Sequence, residues 1–397
     1  MMKYAALLTV LYTLAVCVWS APALAAPPLA QSPNPDAIDR EAQRLMALHD
    51  AQGLAVAVIE NGQIKHVAAY GKRNVEKNLP LTTDTVMYGA SLTKTAFAYL
   101  VLQLVDEGRL DLDASVADLL PKPLPEYAEG NKHYSDLAGD ERWQSLTPRI
   151  MLTHTTGFAN FRWLEPDRKL RFHHDPGSKY GYSGEGFYLL QHVLQDGLGL
   201  DVGQEMQHRV FDRFGMTRTS MSWRPDFADN LADGYGLDGG FEPHDERSNV
   251  SAAGSMDTTI ADQARMWAGI MRGDGLSPEK RAELVRPQVA ITAASQFPTL
   301  DTPTNPRNAD IGLAAGLGLV TFQDTSGPAW FKGGHNPWTG NMVVGLENGK
   351  RVIVLLANDV RAERLYPDLA RFILGPTAMP WAWEYSWLHP KPAEPGE

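Results

Sequence analysis

Cysteine is almost absent from this sequence: Cys17 is the only one among 397 residues. It lies in an apolar N-terminal segment that we expect to be removed from the mature protein. A mature chain without a thiol forms no disulfide, and it offers neither a cysteine nucleophile nor a thiolate ligand for a metal. Disulfide-stapled folds, cysteine hydrolases and thiolate zinc sites are therefore excluded.

The sequence also lacks basic clusters and internal repeats. Its 36 Lys and Arg side chains are scattered and are outnumbered by 47 Asp and Glu, which gives a formal net charge of −11. An acidic surface repels nucleic acid and anionic lipid, so neither is an expected partner. No segment recurs at a fixed period, which argues against solenoids and propellers.

Only one long apolar run is present, and it lies at the N-terminus. Lys3 precedes a run from Ala5 to Trp19, and Ala23-Leu24-Ala25 has the small-x-small pattern that a signal peptidase cleaves. The run is short for a membrane span. We predict a signal peptide over residues 1–26, a linker over 27–36, and an exported protein, periplasmic or secreted, with no stable membrane span after processing. The alternative is a retained N-terminal anchor.

Strand patterns occupy both ends of the remaining chain. Near its start, Leu54–Glu60 and Ile64–Tyr70 flank Asn61-Gly62, a dipeptide typical of tight hairpins. Near its end, alternating or continuous apolar patterns predict four further strands, over residues 318–322, 329–333, 340–347 and 351–358.

Helical patterns fill the middle of the chain, roughly residues 111–284, and one amphipathic helix is predicted before the first strand, over 37–50. Within the middle, the polar segment 122–143 is predicted to be a long loop near the site. Because helices separate the two groups of strands, the strands are expected to pair in one sheet. We therefore predict an α+β fold, an antiparallel β-sheet flanked by helices with an inserted, mostly helical lobe, over 37–388. A Pro-rich tail follows at 389–397.

The sequence Ser91-Leu92-Thr93-Lys94 places a hydroxyl and an amine three residues apart at the start of an apolar helix, and hence on one face of it. A serine hydroxyl needs a base to become a nucleophile, and a desolvated lysine with a lowered pKa can serve. The helix N-terminus favours negative charge nearby, and it leaves the Ser91 N–H available for an oxyanion hole. Ser91 is thus a candidate nucleophile, and Lys94 is its candidate base.

The Ser-x-x-Lys pattern is weak by itself, and a second copy shows why. Ser277-Pro278-Glu279-Lys280 has the composition of a helix start, with Ser277 as N-cap and Pro278 at the first helical position. The same capping role is open to Ser91. A short strand before Ser91 and a long apolar helix after it favour the catalytic interpretation.

Two further segments carry candidate site residues. Tyr182 lies in a turn-rich loop before an apolar helix, where a phenol could relay protons, although packing is the common role of such a tyrosine. In Lys332-Gly333-Gly334-His335, which ends a predicted strand, the glycines let a substrate lie close and Lys332 could pair with a carboxylate. The N–H of His335 could complete the oxyanion hole. The alternative is a surface lysine beside a turn.

Several histidines raise the question of a metal, namely His154, His173, His174 and His335. No His-Glu-x-x-His pattern occurs, and no cluster of histidine and carboxylate residues has ligand spacing. We therefore predict no metal and no other cofactor. His154 is expected to be a structural residue of its turn.

The three elements, in this order, resemble the serine β-lactamase, DD-peptidase and related esterase superfamily, most of all its class C-like branch. Ser91-Leu92-Thr93-Lys94 resembles the Ser-x-x-Lys of that family. Tyr182 matches the tyrosine of its Tyr-x-Asn element, and Lys332-Gly333-Gly334 resembles its Lys-Thr-Gly element. The resemblance spans about Ala37 to Leu374. It implies an acyl-enzyme on Ser91, with Lys94 as base assisted by Tyr182.

Two glycines depart from the family pattern. Gly184 replaces an Asn that would help to hold a substrate amide, and Gly333 replaces a Thr that commonly contacts a substrate carboxylate. We therefore expect a serine hydrolase of small-molecule esters, β-lactams or D-amino-acid peptides, with esters favoured. The alternatives are a penicillin-binding or substrate-binding module with little turnover, and a metal hydrolase. The sequence leaves the oligomeric state open.

Overall fold

The computed structural model describes residues 31–130, 133–300 and 303–388. The predicted signal peptide, residues 1–26, and the predicted tail, residues 389–397, lie outside these ranges. In the described ranges, no helix combines the length and the apolar character that crossing a membrane requires.

Within these ranges the strands are β1 Gly53–Glu60, β2 Gln63–Asn74, β3 Leu79–Pro80, β4 Met87–Tyr88, β5 Gly234–Tyr235, β6 Phe241–Glu242, β7 Asp257–Thr258, β8 Val289–Ala290, β9 Ala314–Ala315, β10 Val320–Asp324, β11 Gly327–Asn336, β12 Thr339–Leu346 and β13 Arg351–Ala357. The α-helices are α1 Pro35–His49, α2 Leu92–Asp106, α3 Val116–Leu119, α4 Pro148–Leu152, α5 Gly184–His192, α6 Val202–Met206, α7 Ile260–Arg272, α8 Pro278–Leu284, α9 Tyr366–Leu374 and α10 Trp381–Glu384.

Nine strands form one antiparallel sheet in the order β3-β2-β1-β13-β12-β11-β10-β9-β8. The first strand pairs with the last, so that Leu54 lies opposite Ala357 and Val58 lies opposite Ile353. The two groups of strands, one from each end of the sequence, therefore lie side by side. This confirms the predicted antiparallel sheet.

Both faces of the sheet are covered by helices, and β1 shows the pattern. Val56 and Val58 pack in a core formed with α1 and α9, whereas Ala55 and Ala57 pack on the other face in a core formed with α2 and α7. Successive side chains of a strand point to opposite faces, so a strand buried on both faces is apolar throughout. The continuous apolar run of β1 has this cause.

The helical middle of the chain contains α3 to α8 and the two-stranded sheet β5-β6, and its strand β7 pairs with β4, which precedes α2. One prediction for this region is wrong in part. As far as it is described, the segment 122–143 is a loop with short 3-10 turns, as such connectors often are, but it does not lie near the site, because none of its described residues lines the cleft around Ser91.

Two leucines of α1 give a test of how this helix docks. Leu45 is fully buried, whereas the side chain of Leu48, on the same helix, is 64% exposed. We expect Leu45→Ala to lower the free energy of unfolding by about 2–5 kcal/mol, because it leaves a cavity between helix and sheet. Leu48→Ala is the matched control and should change it by less than about 0.5 kcal/mol. Equal effects of both substitutions in urea unfolding would show that α1 does not dock on the sheet as described.

Candidate active site

A cleft of about 1170 Å³ opens where the sheet meets the helical middle of the chain. Its walls come from the start of α2, the loop before α5, the second half of β11 and the C-terminal helix α10. Elements far apart in sequence thus meet here, and the lining includes Ser91, Tyr182, Gly333, Gly334, His335 and Glu384.

Ser91 stands at the N-cap position of α2, but its side chain makes no capping hydrogen bond. Ser277, in contrast, caps α8, with its Oγ accepting from the Lys280 N–H at 3.2 Å. The residue before Ser91 is in the left-handed region, with Ala90 at φ 47°. This conformation costs on the order of 1–3 kcal/mol for a residue with a Cβ and is concentrated at functional sites. The two Ser-x-x-Lys copies therefore have different roles, because only Ser277 is a cap.

Lys94 lies one turn further along α2 and is 1% exposed. Its Nζ is 3.1 Å from Ser91 Oγ, and it donates to the carbonyl oxygen of Ala253 at 2.6 Å. Burial, and then the positive charge of Lys332, hold the pKa of Lys94 well below its usual value. A lowered pKa raises the fraction of neutral amine, which is the form that can accept the serine proton.

Tyr182 contacts the same serine. Its hydroxyl donates to Ser91 Oγ at 2.8 Å, and its ring stacks on His154 with the ring centroids 4.2 Å apart. Burial raises the pKa of Tyr182, so the phenol keeps its proton and can donate it. Nδ1 of His154 accepts from the Ser183 N–H at 3.1 Å. The contacts of His154 are consistent with the expected structural role, because they fix the loop that carries Tyr182.

The second half of β11 approaches Ser91 closely. In the described chain, β10 pairs with β11 only as far as Phe331, so one edge of the strand beyond Phe331 has no strand partner. A Cβ at Gly334 would lie 3.0 Å from both Ser91 N and Leu92 N. Only glycine lets the strand pass this close without displacing the start of α2. The Ser91 N–H donates to no backbone carbonyl of the described residues, and it is free to hold an oxyanion.

Lys332 is not a surface lysine. It is 4% exposed, and its Nζ donates to the carbonyl oxygen of Gly333 at 2.8 Å. Burial lowers the pKa of Lys332 to about 8, and the carboxylate of Glu384 opposes this shift. The alternative of a solvated lysine beside a turn is therefore excluded by the geometry.

Other side chains cover both glycines that depart from the family pattern. A Cβ at Gly184 would lie 2.2 Å from Cε1 of Phe161, and one at Gly333 would lie 1.8 Å from Oε1 of Glu384. The Gly184 N–H is also occupied, since it donates to the Asn160 carbonyl oxygen at 2.8 Å. The sequence predicts a substrate-binding position at Gly184. In the structure this residue lies behind Phe161 and does not line the cleft.

Sequence reasoning did not identify Phe161, Glu363 or Glu384 as cleft residues. Glu363 lies beside His335, with Oε1 3.2 Å from Nδ1. Burial lowers the pKa of His335, but the hydrogen bond and charge of Glu363 more than offset this, so the pKa is raised. The only sequence signal near Glu384 is the aromatic-rich run at residues 381–387.

The histidines that raised the question of a metal have other partners. His154 bonds to Ser183, His335 to Glu363, and His173 to Glu165 through Nε2 at 2.5 Å. Among residues 31–130, 133–300 and 303–388, no group of three or more His, Cys, Asp or Glu side chains is arranged to hold a metal ion.

Proteins of known function and solved structures are similar to this chain. The D-alanyl-D-alanine-carboxypeptidase/endopeptidase AmpH of Escherichia coli strain K12 is 25% identical over 311 residues, which cover 74% of this chain and 75% of AmpH. A D-aminopeptidase of Gluconobacter oxydans is 28% identical over 208 residues, 50% of this chain but only 38% of that protein. The solved structure of D-alanine carboxypeptidase AmpC from Burkholderia cenocepacia shares the fold, with a TM-score of 0.64, 21% identity, and coverage of 86% of this chain and 98% of that one.

The family model described as Beta-lactamase matches residues 38–375. This match spans most of the chain and contains all the candidate residues of the Ser-x-x-Lys, tyrosine and Lys-Gly-Gly elements. The chain therefore belongs to the β-lactamase family, and it is a serine hydrolase.

Proposed function

We propose that this protein hydrolyses carboxylic esters through a covalent acyl-enzyme on Ser91, in preference to β-lactams and D-amino-acid peptides. The observation that carries the proposal is the position of Ser91 Oγ, which lies 3.1 Å from Lys94 Nζ and 2.8 Å from the Tyr182 hydroxyl. Acyl transfer requires a base and a proton donor at the same hydroxyl. A D-amino-acid peptide is the second candidate substrate, because AmpH is named for its action on D-alanyl-D-alanine.

Acylation begins when Ser91 Oγ attacks the ester carbonyl carbon and its proton moves to the neutral amine of Lys94. The carbonyl oxygen becomes an oxyanion, held by the N–H groups of Ser91 and His335. As the tetrahedral intermediate collapses, the bond to the leaving oxygen breaks. That oxygen takes a proton from Tyr182, and the proton held by Lys94 restores the phenol. Water then attacks the acyl-serine, which releases the carboxylic acid and returns the proton to Ser91.

The preference for esters rests on the wall of the cleft beside Gly184. Phe161 covers this position and stacks on Trp163, with the ring centroids 4.0 Å apart. An aromatic surface thus stands where the family has a side-chain amide. A site without a polar partner for an amide discriminates weakly between amides and esters. An ester also has the better leaving group, so short-chain aryl or alkyl esters are the proposed substrates.

A binding module with little turnover is the alternative from another functional class, and it would show a burst of product without a steady state. A metal hydrolase would lose its activity to a chelator.

The N-terminal sequence pattern supports the additional proposal that the protein is exported to the periplasm or secreted.

A comparison of two substrates tests the ester preference. We expect kcat/KM for a p-nitrophenyl ester of a short acyl chain to exceed that for a chromogenic cephalosporin, because the cleft lacks an amide partner at Gly184. Ser91→Ala is the control, and it should abolish turnover of both substrates. Faster turnover of the cephalosporin would contradict the role given to Gly184 and Phe161. Full activity of Ser91→Ala on either substrate would contradict the nucleophile.

The lowered pKa of Lys94 predicts the acidic limb of the pH profile. Lys94 accepts the serine proton only when neutral, so kcat/KM for the ester should fall as the pH drops through a pKa well below 10.5. The charge of Lys332 lowers that pKa. In Lys332→Gln this charge is absent, and the limb should move to higher pH. A wild-type profile that still climbs at about pH 10, or a limb that moves to lower pH in Lys332→Gln, would argue against Lys94 as the base.

A further inference from the structure

The C-terminal helix α10 places a carboxylate against the strand that carries Lys332. Glu384 is 6% exposed and lines the cleft. Its Oε1 lies 1.8 Å from where a Cβ at Gly333 would be. The space that any side chain at position 333 would occupy is therefore filled by the Glu384 carboxylate.

Several contacts hold Glu384 in this place. Its Oε2 accepts from Nε2 of Gln296 at 2.9 Å, and Oε1 of Gln296 accepts from the Tyr180 hydroxyl at 3.1 Å. The neighbouring Trp383 packs edge-on against Phe331 of β11 and donates from Nε1 to the Ala293 carbonyl oxygen at 2.9 Å. The carboxylate is thus held by a network of buried side chains.

The charge of Glu384 acts on the groups around it. Burial raises the pKa of Glu384 to about 7, and Lys332 and His335 oppose this shift. A buried lysine needs a counter-ion, since an isolated charge is costly in a low dielectric. Glu384 supplies a carboxylate of the same chain, whose charge favours the protonated form of Lys332. An anionic substrate group would therefore compete with Glu384 for Lys332.

We propose that Glu384 is a specificity-determining residue, which directs the enzyme to substrates that carry no carboxylate on the side of the scissile bond facing Lys332 and Gly333. The inference rests on the proposed hydrolysis at Ser91. A substrate carboxylate at this position would lie against the like charge of Glu384, and such a repulsive element is an effective source of specificity. Uncharged and cationic leaving groups meet no such repulsion.

Two esters of the same acyl group test this inference, the phenyl ester and the 3-carboxyphenyl ester, which differ by one carboxylate on the leaving group. At about pH 8, where Glu384 with its pKa of about 7 is mostly ionised, we expect the wild-type enzyme to favour the phenyl ester in kcat/KM by about tenfold or more. Glu384→Gln keeps the shape of the side chain and removes its charge. In this variant the ratio of kcat/KM for the phenyl ester to kcat/KM for the 3-carboxyphenyl ester should fall by about tenfold. Glu279→Gln is the matched control, because it removes the same charge from a side chain that is 82% exposed and should leave the ratio unchanged.

Binding without turnover provides an independent measurement. Ser91→Ala has no nucleophile, so it binds both esters without cleaving them, and the ratio of their Kd values, in this background with and without Glu384→Gln, should show the same preference. If neither ester is hydrolysed, the proposed function fails, and the Kd ratio still decides the role of Glu384. A wild-type preference for the carboxylate-bearing compounds would overturn the inference. A ratio in Glu384→Gln within about twofold of the wild-type value would overturn it as well.

Discussion

Burial of the Lys94 amine is the constraint on which the site depends. An ammonium group removed from water loses hydration, which favours the neutral form that a base requires. The burial comes from α2, in which every residue from Leu92 to Leu104 is buried. A helix that is apolar on all sides is typical of a core position. The same packing that stabilises the fold therefore excludes water from Lys94, and it places Ser91 at the end of the helix that lines the cleft.

Around this centre, the two positions that differ from the family have been filled by other side chains. Phe161 covers Gly184, and Glu384 covers Gly333. The chemical character of each position changes as well. An aromatic ring lies where the family has an amide, and a carboxylate lies where it has a hydroxyl. Ser91 Oγ nevertheless keeps its contacts with Lys94 and Tyr182. We infer that the chain retains the acyl-transfer chemistry of its family while the surroundings select a different kind of substrate.

The sequence predicted those features that depend on local spacing. The apolar run of β1, the apolar face of α1 and the three-residue spacing of Ser91 and Lys94 are each a property of one element, and the structure contains all three. Phe161 and Glu384 could not be predicted, because their positions over the two glycines depend on how separate segments pack. The absence of a Cβ at Gly184 and Gly333 was visible in the sequence, but what fills the space was not.

Ser91 is proposed to carry the acyl group during turnover. The most direct measurement is intact-mass analysis, followed by peptide mapping, of enzyme quenched in acid during hydrolysis of a p-nitrophenyl ester. We expect a mass increase equal to one acyl group, located on the peptide that contains Ser91 and absent from Ser91→Ala. An acyl group on another residue, or the same adduct on Ser91→Ala, would contradict it.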